Sequence, residues 1–171
     1  MTLQEKLFTN TISLFNSFDS LSQVQAEFKP SPDSWSILEC AEHIFIVDTS
    51  VSKSITAQVS EKTENDKIEL FGEGKLNHLL VNKRTTLKVV APDFALPTGR
   101  FKTLEEAKQN INAIINKIIV YLDTHKVDED CQTIKHFRLG EMTKTDWVHF
   151  LIHHTNRHIL QIEEVKLSRK K

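Results

Sequence analysis

Apolar residues recur at helical spacing over four long stretches of the chain and predict four amphipathic helices. The first stretch covers about residues 3–25 and is followed by a proline-containing break, because proline removes a backbone donor and fixes its own φ. The second begins at Asp33 or Ser34, either of which can cap a helix, and extends to about Glu61. These two stretches predict the first half of an all-α fold.

The other two amphipathic stretches lie in the second half of the chain. Thr103 is the predicted cap of a helix over residues 104–122, with Glu106 at the capping-box position. Thr143 opens the last helix, with Asp146 in the place of the usual Glu. The predicted inner face of this last helix carries Trp147, Leu151, His154, His158, Gln161 or Ile162, and Val165.

The connections between these stretches are long. Residues 62–73 are polar, residues 75–88 predict a shorter helix, and residues 89–102 predict an ordered loop with two prolines and a glycine. Residues 124–140 predict a polar connection. Connections of this length are typical of a bundle with a long crossover rather than one with tight hairpins. We therefore predict a single all-α domain over residues 1–171, a four-helix bundle with a long crossover connection.

The composition is that of an ordinary globular protein. Hydrophobic residues make up 39% of the 171 residues and charged residues 26%, and four glycines with four prolines are few for the many turns of an all-β chain. The formal net charge is −1, so no excess of basic residues favours nucleic acid or an anionic membrane. We therefore expect neither as a partner.

The two cysteines, Cys40 and Cys131, are too few for a disulfide framework or a cysteine-rich zinc motif. They fit a reducing compartment. The N-terminus lacks the apolar core of a signal peptide, and no segment is apolar over the length that a bilayer requires. We therefore expect a cytoplasmic protein.

Three histidines carry the strongest chemical signal. His154 and His158 stand one turn apart, so their side chains leave the same face of the last helix, on its apolar stripe. A third imidazole from another helix, His43, would complete a three-nitrogen cluster. Three imidazoles are the ligand set of an open metal site, which leaves coordination positions for water or substrate. Histidines satisfied by hydrogen bonds, without a metal, are the alternative, and a lone histidine on a core face such as His43 more often has that role.

The residues around these histidines are predicted to have supporting roles. His149 and His153 also stand one turn apart, but they fall on a more polar face and are predicted to be exposed. Glu42 points about 100° away from His43 around the helix and is predicted to be exposed rather than a general base. The remaining expectations are a buried Cys40, an Asp48 at a bundle edge or paired with a cation, a Gln161 that is an ordinary polar residue or orients a ligand, and Trp35 and Trp147 as core anchors.

Three stretches of the chain resemble a known family. Residues 30–43, PSPDSWSILECAEH, contain a proline, a Trp-Ser helix start and His43. Leu96-Pro97-Thr98-Gly99 leads into Leu104-Glu105-Glu106-Ala107, and Leu139-Gly140-Glu141-Met142-Thr143 leads through Trp147 to residues 154–162, HTNRHILQI. In this order, over nearly the whole chain, the three stretches resemble the DinB/YfiT-like superfamily of metal-dependent helical bundles.

The resemblance implies a DinB/YfiT-like four-helix bundle in which His43, His154 and His158 hold a divalent metal ion, with zinc or nickel as the metal. All three positions carry histidine here. The resemblance also implies a homodimer and a small-molecule substrate. Two activities are open: a metal-dependent hydrolase that activates water, and an S-transferase that activates a low-molecular-weight thiol. The alternative is a non-catalytic metal-binding or stress-related bundle protein. No catalytic residue beyond the metal ligands is predicted.

Overall fold

The computed structural model describes residues 1–57, 71–87, 89–128, 130 and 132–169. The α-helices are α1 (Leu3–Asn16), α2 (Gln23–Glu27), α3 (Ile37–Thr56), α4 (Glu73–Asn77), α5 (Leu104–Thr124) and α6 (Lys144–Ser168). A π-helical turn (His78–Asn82) continues α4, a 3-10 turn covers Asp93–Ala95, and strands β1 (Thr133–His136) and β2 (Gly140–Thr143) form a hairpin.

The long helices α1, α3, α5 and α6 form the bundle. Helix α3 packs against α5 and α6, and α1 packs against the same two helices, so α1 lies diagonally opposite α3. A continuous apolar core fills the space between them, with Leu7, Ile44, Ile118 and Leu151 among its fully buried side chains. The predicted all-α four-helix bundle is confirmed, and the long connection over residues 57–103 joins the neighbouring helices α3 and α5.

Hydrogen-bonded caps determine where the helices begin. The hydroxyls of Thr103 and Thr143 accept the backbone N–H groups of Glu106 and Asp146, as predicted. The expected start of α3 at Asp33 or Ser34 is wrong, because Ser36 caps the helix in a reciprocal box with Glu39. Residue 36 has extended backbone, and the helix follows it.

Two predicted helices are too long. The expected helix over residues 3–25 is two helices, α1 and α2, with a break between them. At the end of α1 the Ser17 hydroxyl donates to the carbonyl oxygen of Leu14, and Ser20 has a positive φ of 61°, which a helix does not allow. Helix α3 ends at Thr56, since Ala57 has extended backbone, and the residues from 58 to Glu61 that the prediction included lie outside the described residues.

The predicted helix over residues 75–88 is present only in part. Helix α4 and the π-helical turn cover residues 73–82, and position 88 lies outside the described residues. Two arginines attach this segment to α6. Arg157 donates to the carbonyl oxygens of Leu80 and Leu87, and Arg84 pairs with Glu164.

The predicted polar connection over residues 124–140 contains β1 and the first residue of β2. The two strands pair antiparallel, with Thr133 opposite Thr143 and His136 opposite Gly140. The Trp147 indole N–H donates to the carbonyl oxygen of Ile134, which fastens the hairpin to α6. Strands of four residues with mixed polarity are too short to give a clear alternating pattern, so the sequence did not indicate them.

In the part of the chain that the structure describes, every helix is too short or too polar to traverse a lipid bilayer.

Candidate metal centre

The bundle brings His43 of α3 together with His154 and His158 of α6. The Nε2 atom of His154 lies 3.2 Å from Nε2 of His43 and 3.2 Å from Nε2 of His158. All three residues are buried, and one nitrogen from each lies within 4.8 Å of the others. Two imidazole nitrogens that bind one ion at about 2 Å each are at most about 4 Å apart. The two measured separations satisfy this limit.

Hydrogen bonds orient two of the three rings. His43 Nδ1 lies 2.7 Å from the carbonyl oxygen of Ala95, which can only accept, so this nitrogen carries the proton. His158 Nδ1 lies 2.9 Å from Gln161 Oε1 and donates in the same way. In a neutral imidazole the other nitrogen is then an acceptor. The Nε2 lone pairs of His43 and His158 therefore both point toward His154.

Burial favours the neutral form of these imidazoles. It lowers the pKa of His43, and it lowers the pKa of His154 and of His158 well below the usual value, with the neighbouring histidines adding to the effect. If His154 carries its proton on Nε2, it can donate to Nε2 of His43 or of His158 but not to both, so one lone pair has no hydrogen-bond donor. If it does not, three lone pairs converge. Either arrangement is unfavourable in a buried site without a cation, so the donor set fits a divalent metal ion.

Aromatic rings enclose the three histidines. The Trp35 ring lies 4.8 Å from the His43 ring and 6.3 Å from the His158 ring, measured between centroids. Phe150 stacks on His154 with centroids 5.5 Å apart. Trp147 is buried in the core, as predicted, and Trp35 is partly buried and packs against both the core and the histidines. These contacts restrict the rotation of the imidazoles.

Glu42 is buried, and the expectation that it would be exposed is wrong. The residue is 1% exposed, and its carboxylate accepts four hydrogen bonds from one loop. Oε1 accepts from the backbone N–H and the hydroxyl of Thr98, and Oε2 accepts from the backbone N–H groups of Gly99 and Arg100. The loop donors therefore replace the water that the carboxylate loses on burial.

The same loop contains the acceptor of His43. Ala95, at the end of the 3-10 turn, supplies the carbonyl oxygen that fixes the His43 ring, and Glu42 binds the loop three to five residues further on. Glu42 and His43 are neighbours in α3 and thus hold two points of one loop. The loop in turn fixes the tautomer of a candidate metal ligand. The sequence carried only one signal for this role, an acidic residue beside the histidine.

Two other residues of α3, Cys40 and Asp48, are buried and do not belong to the three-histidine cluster. Cys40 is buried, as predicted, and burial together with the nearby Glu39 carboxylate raises its pKa to about 12, so its thiol stays protonated. Asp48 does not lie at a bundle edge. It is 1% exposed, burial raises its pKa to about 8, and Oδ1 has no hydrogen-bond partner among the described residues. Cys131 lies outside the described residues.

His149 and His153 are also buried, and the prediction that they would be exposed is wrong. Their residues are 9% and 7% exposed, because α4 and α1 cover the face of α6 on which they lie. Both lie near the Glu73 carboxylate, and the three residues form a second cluster whose ligand atoms lie within 4.8 Å of one another. Amphipathic periodicity missed this cluster because α6 is covered on more than one side.

The structure is thus an α-helical bundle with three converging imidazoles that could hold a metal ion. The family model of the DinB superfamily matches residues 8–162, and the chain belongs to this superfamily. It is 24% identical over 155 residues to the uncharacterized protein YuaE of Bacillus subtilis (strain 168), a match that covers 91% of each chain. No solved structure matches the chain significantly.

Proposed function

We propose that this protein is a metal-dependent enzyme in which His43, His154 and His158 hold one divalent ion, zinc or nickel. The observation that carries the proposal is the convergence of three Nε2 atoms from two helices, with both contacts to His154 at 3.2 Å. Three neutral donors are one fewer than a structural zinc site normally has. The missing fourth donor favours a site that admits a reactant.

A divalent ion held by neutral imidazoles supplies a Lewis acid that makes a water molecule or a thiol acidic enough to act as a nucleophile near neutral pH. The chain's own residues prepare the site for this chemistry. Ala95 and Gln161 accept hydrogen bonds from the Nδ1–H groups of His43 and His158. The Nε2 lone pair of each ring is therefore free to bind the ion. Trp35 and Phe150 hold the rings in place.

The reaction we propose is hydrolysis of a small-molecule substrate or transfer of a low-molecular-weight thiol. Both need the same ligand set and differ only in which nucleophile enters. Cys40 does not supply that thiol, because its pKa of about 12 keeps it protonated and its residue is fully buried. A transferase reaction therefore requires a thiol from solution. We expect the enzyme to act in the cytoplasm as a homodimer, which light scattering tests.

The test combines elemental analysis with activity screening. The protein is stripped with a chelator, reloaded with zinc or nickel, and assayed for ester and amide hydrolysis and for conjugation of glutathione or cysteine. We expect turnover only in the loaded protein and loss of turnover in His154→Ala. The exposed His125 provides a control, His125→Ala, which lies outside both histidine clusters and should behave as wild type.

The outcomes separate the alternatives. Metal bound through the three histidines without turnover in any assay would favour the non-catalytic metal-binding or stress-related bundle protein. Equal metal content in wild type and His154→Ala would show that the three histidines do not hold the ion and are satisfied by hydrogen bonds instead.

A further inference from the structure

We propose that Glu73, His149 and His153 form a second divalent-cation site, on a different side of α6 from the three-histidine centre. His149 and His153 stand one turn apart on α6, and Glu73 is the first residue of α4. The pairs His149/His153 and His154/His158 are offset by five residues, which turns them about 140° apart around the helix. The two clusters therefore do not share a ligand.

The distances suit an ion held between the three side chains. Oε1 of Glu73 lies 3.6 Å from Nδ1 of His149 and 3.9 Å from Nε2 of His153. Both distances exceed the roughly 3.2 Å limit of an N–H···O hydrogen bond. Both are shorter than the separation of about 4 Å that two ligands of one zinc ion can reach at about 2 Å each. The spacing is thus too long for direct bonding and short enough for a shared cation.

The histidine nitrogens at this cluster lack other partners. His149 Nδ1 and both ring nitrogens of His153 are buried and have no hydrogen-bond partner among the described residues. The two residues are 9% and 7% exposed, and both face the Glu73 carboxylate. Buried polar atoms without partners are rare in folded proteins. A cation that accepts one lone pair from each ring would satisfy His149 Nδ1 and His153 Nε2, and His153 Nδ1 would then carry the proton of its ring.

The chemistry of the donors indicates the kind of ion. Two imidazoles and one carboxylate are a ligand set of zinc and similar borderline divalent metals, with positions left for solvent. The Glu73 side chain is 42% exposed, which provides a route for the ion to enter. An ion bound here would join α4 to α6 and add to the contacts that Arg84 and Arg157 make between this segment and α6.

Lys6 competes with the ion for the same carboxylate. Its Nζ lies 2.8 Å from Oε2 of Glu73, whereas the histidines face Oε1. The carboxylate can therefore serve both cations, one at each oxygen, but the positive charge of Lys6 weakens binding of a second cation nearby. Replacing Lys6 with an uncharged residue should strengthen this site and leave the three-histidine centre unchanged.

The experiment is a Zn²⁺ titration of the metal-free protein, followed by isothermal titration calorimetry and elemental analysis. We expect wild type to bind about two ions, Glu73→Gln and His149→Ala to bind about one, and Lys6→Met to bind two with a tighter second affinity. Glu73→Gln is conservative and partly exposed, so its fold is expected to persist, which circular dichroism checks. The control Glu105→Gln, on the exposed face of α5, should keep both ions.

The variant His154→Ala separates this proposal from the proposed function. It should lose the ion of the three-histidine centre and retain the ion bound by Glu73. The second site is overturned if wild type binds only the one ion that His154→Ala abolishes, or if Glu73→Gln retains two. If His154→Ala retains both ions while Glu73→Gln loses one, the second site stands and the three-histidine centre is overturned.

Discussion

The Oε1 atom of Glu42 lies 2.7 Å from the backbone nitrogen of Thr98, which follows it by 56 residues in the chain. This bond is one of four that join the start of α3 to the loop before α5. The carbonyl oxygen of Ala95, in the same loop, accepts a hydrogen bond from Nδ1–H of His43. By holding this loop, the Glu42 carboxylate positions the hydrogen-bond acceptor of a candidate metal ligand. Glu42 is a positioning residue and does not touch the three converging nitrogens.

Replacing Glu42 with Gln should destabilise the fold and weaken the metal centre together. The amide NH₂ of Gln cannot accept, so either the Thr98 N–H or the N–H groups of Gly99 and Arg100 would lose their partner, depending on which way the amide is oriented. The expected cost is about 1–3 kcal/mol. Urea unfolding of the metal-free protein measures this cost, and a chelator competition measures the Zn²⁺ affinity. Glu105→Gln on the surface should change the free energy of unfolding by no more than about 0.5 kcal/mol. An unchanged Zn²⁺ affinity in Glu42→Gln would contradict the positioning role.

The loop that Glu42 binds depends on Gly99, whose φ is +79°. An L-residue in this left-handed conformation is strained, although a Cβ there would meet no atom within 4 Å. Gly99→Ala should therefore lower the free energy of unfolding by about 1–2 kcal/mol. The matched variant Gly74→Ala replaces the second residue of α4, also without contacts within 4 Å, and should raise it by about 0.4–1 kcal/mol, because alanine restricts the unfolded chain. Thermal and urea denaturation compare the two, and effects of the same sign would refute this reasoning.

Gln161 tests whether the hydrogen bond to His158 matters for metal binding. Gln161→Met keeps the length of the side chain but removes the acceptor of the Nδ1 proton, and the loss of such a partner lowers metal affinity about 10–100-fold. Gln161→Glu keeps an acceptor and should bind at least as tightly as wild type. Chelator competition with Zn²⁺ measures both. If both variants bind Zn²⁺ as tightly as wild type, Gln161 is an ordinary polar residue and does not orient the metal ligand.

Asp48 should make stability depend on pH. Burial raises its pKa in the folded state from 3.8 to about 8, so between these values the folded protein holds a proton that the unfolded chain has lost. The contribution of Asp48 to stability is therefore complete below about pH 4 and declines as pH rises toward 8, by at most about 1.4 kcal/mol per pH unit.

Comparing Asp48→Asn with wild type isolates this effect. Because Asn carries no ionisable group, the variant should become more stable relative to wild type as pH increases from 5 to 8. Urea unfolding of the metal-free proteins at several pH values gives the difference. The exposed Asp33 supplies the control Asp33→Asn, whose difference from wild type should stay level over this range. A level difference for Asp48→Asn as well would show that the carboxyl is ionised in the folded state.

The helices were predictable where local chemistry decides them. Thr103 and Thr143 cap α5 and α6, as expected. The three stretches that resemble the DinB/YfiT-like superfamily indicated the superfamily whose model matches the chain. The start of α3 was misplaced by a few residues, because several polar residues between Asp33 and Ser36 can cap a helix and only packing selects one. The short hairpin was missed for lack of a periodic signal.

The sequence by itself determined which histidines share a face of α6, because helical spacing is a local property of the backbone. It also indicated a third imidazole from α3. Only the tertiary structure decided that Nε2 of His43 meets His154 at 3.2 Å, that Glu42 turns inward to bind a loop, and that α4 covers His149 and His153. Burial and partner choice depend on which segments pack against a residue, and those segments are distant in the chain.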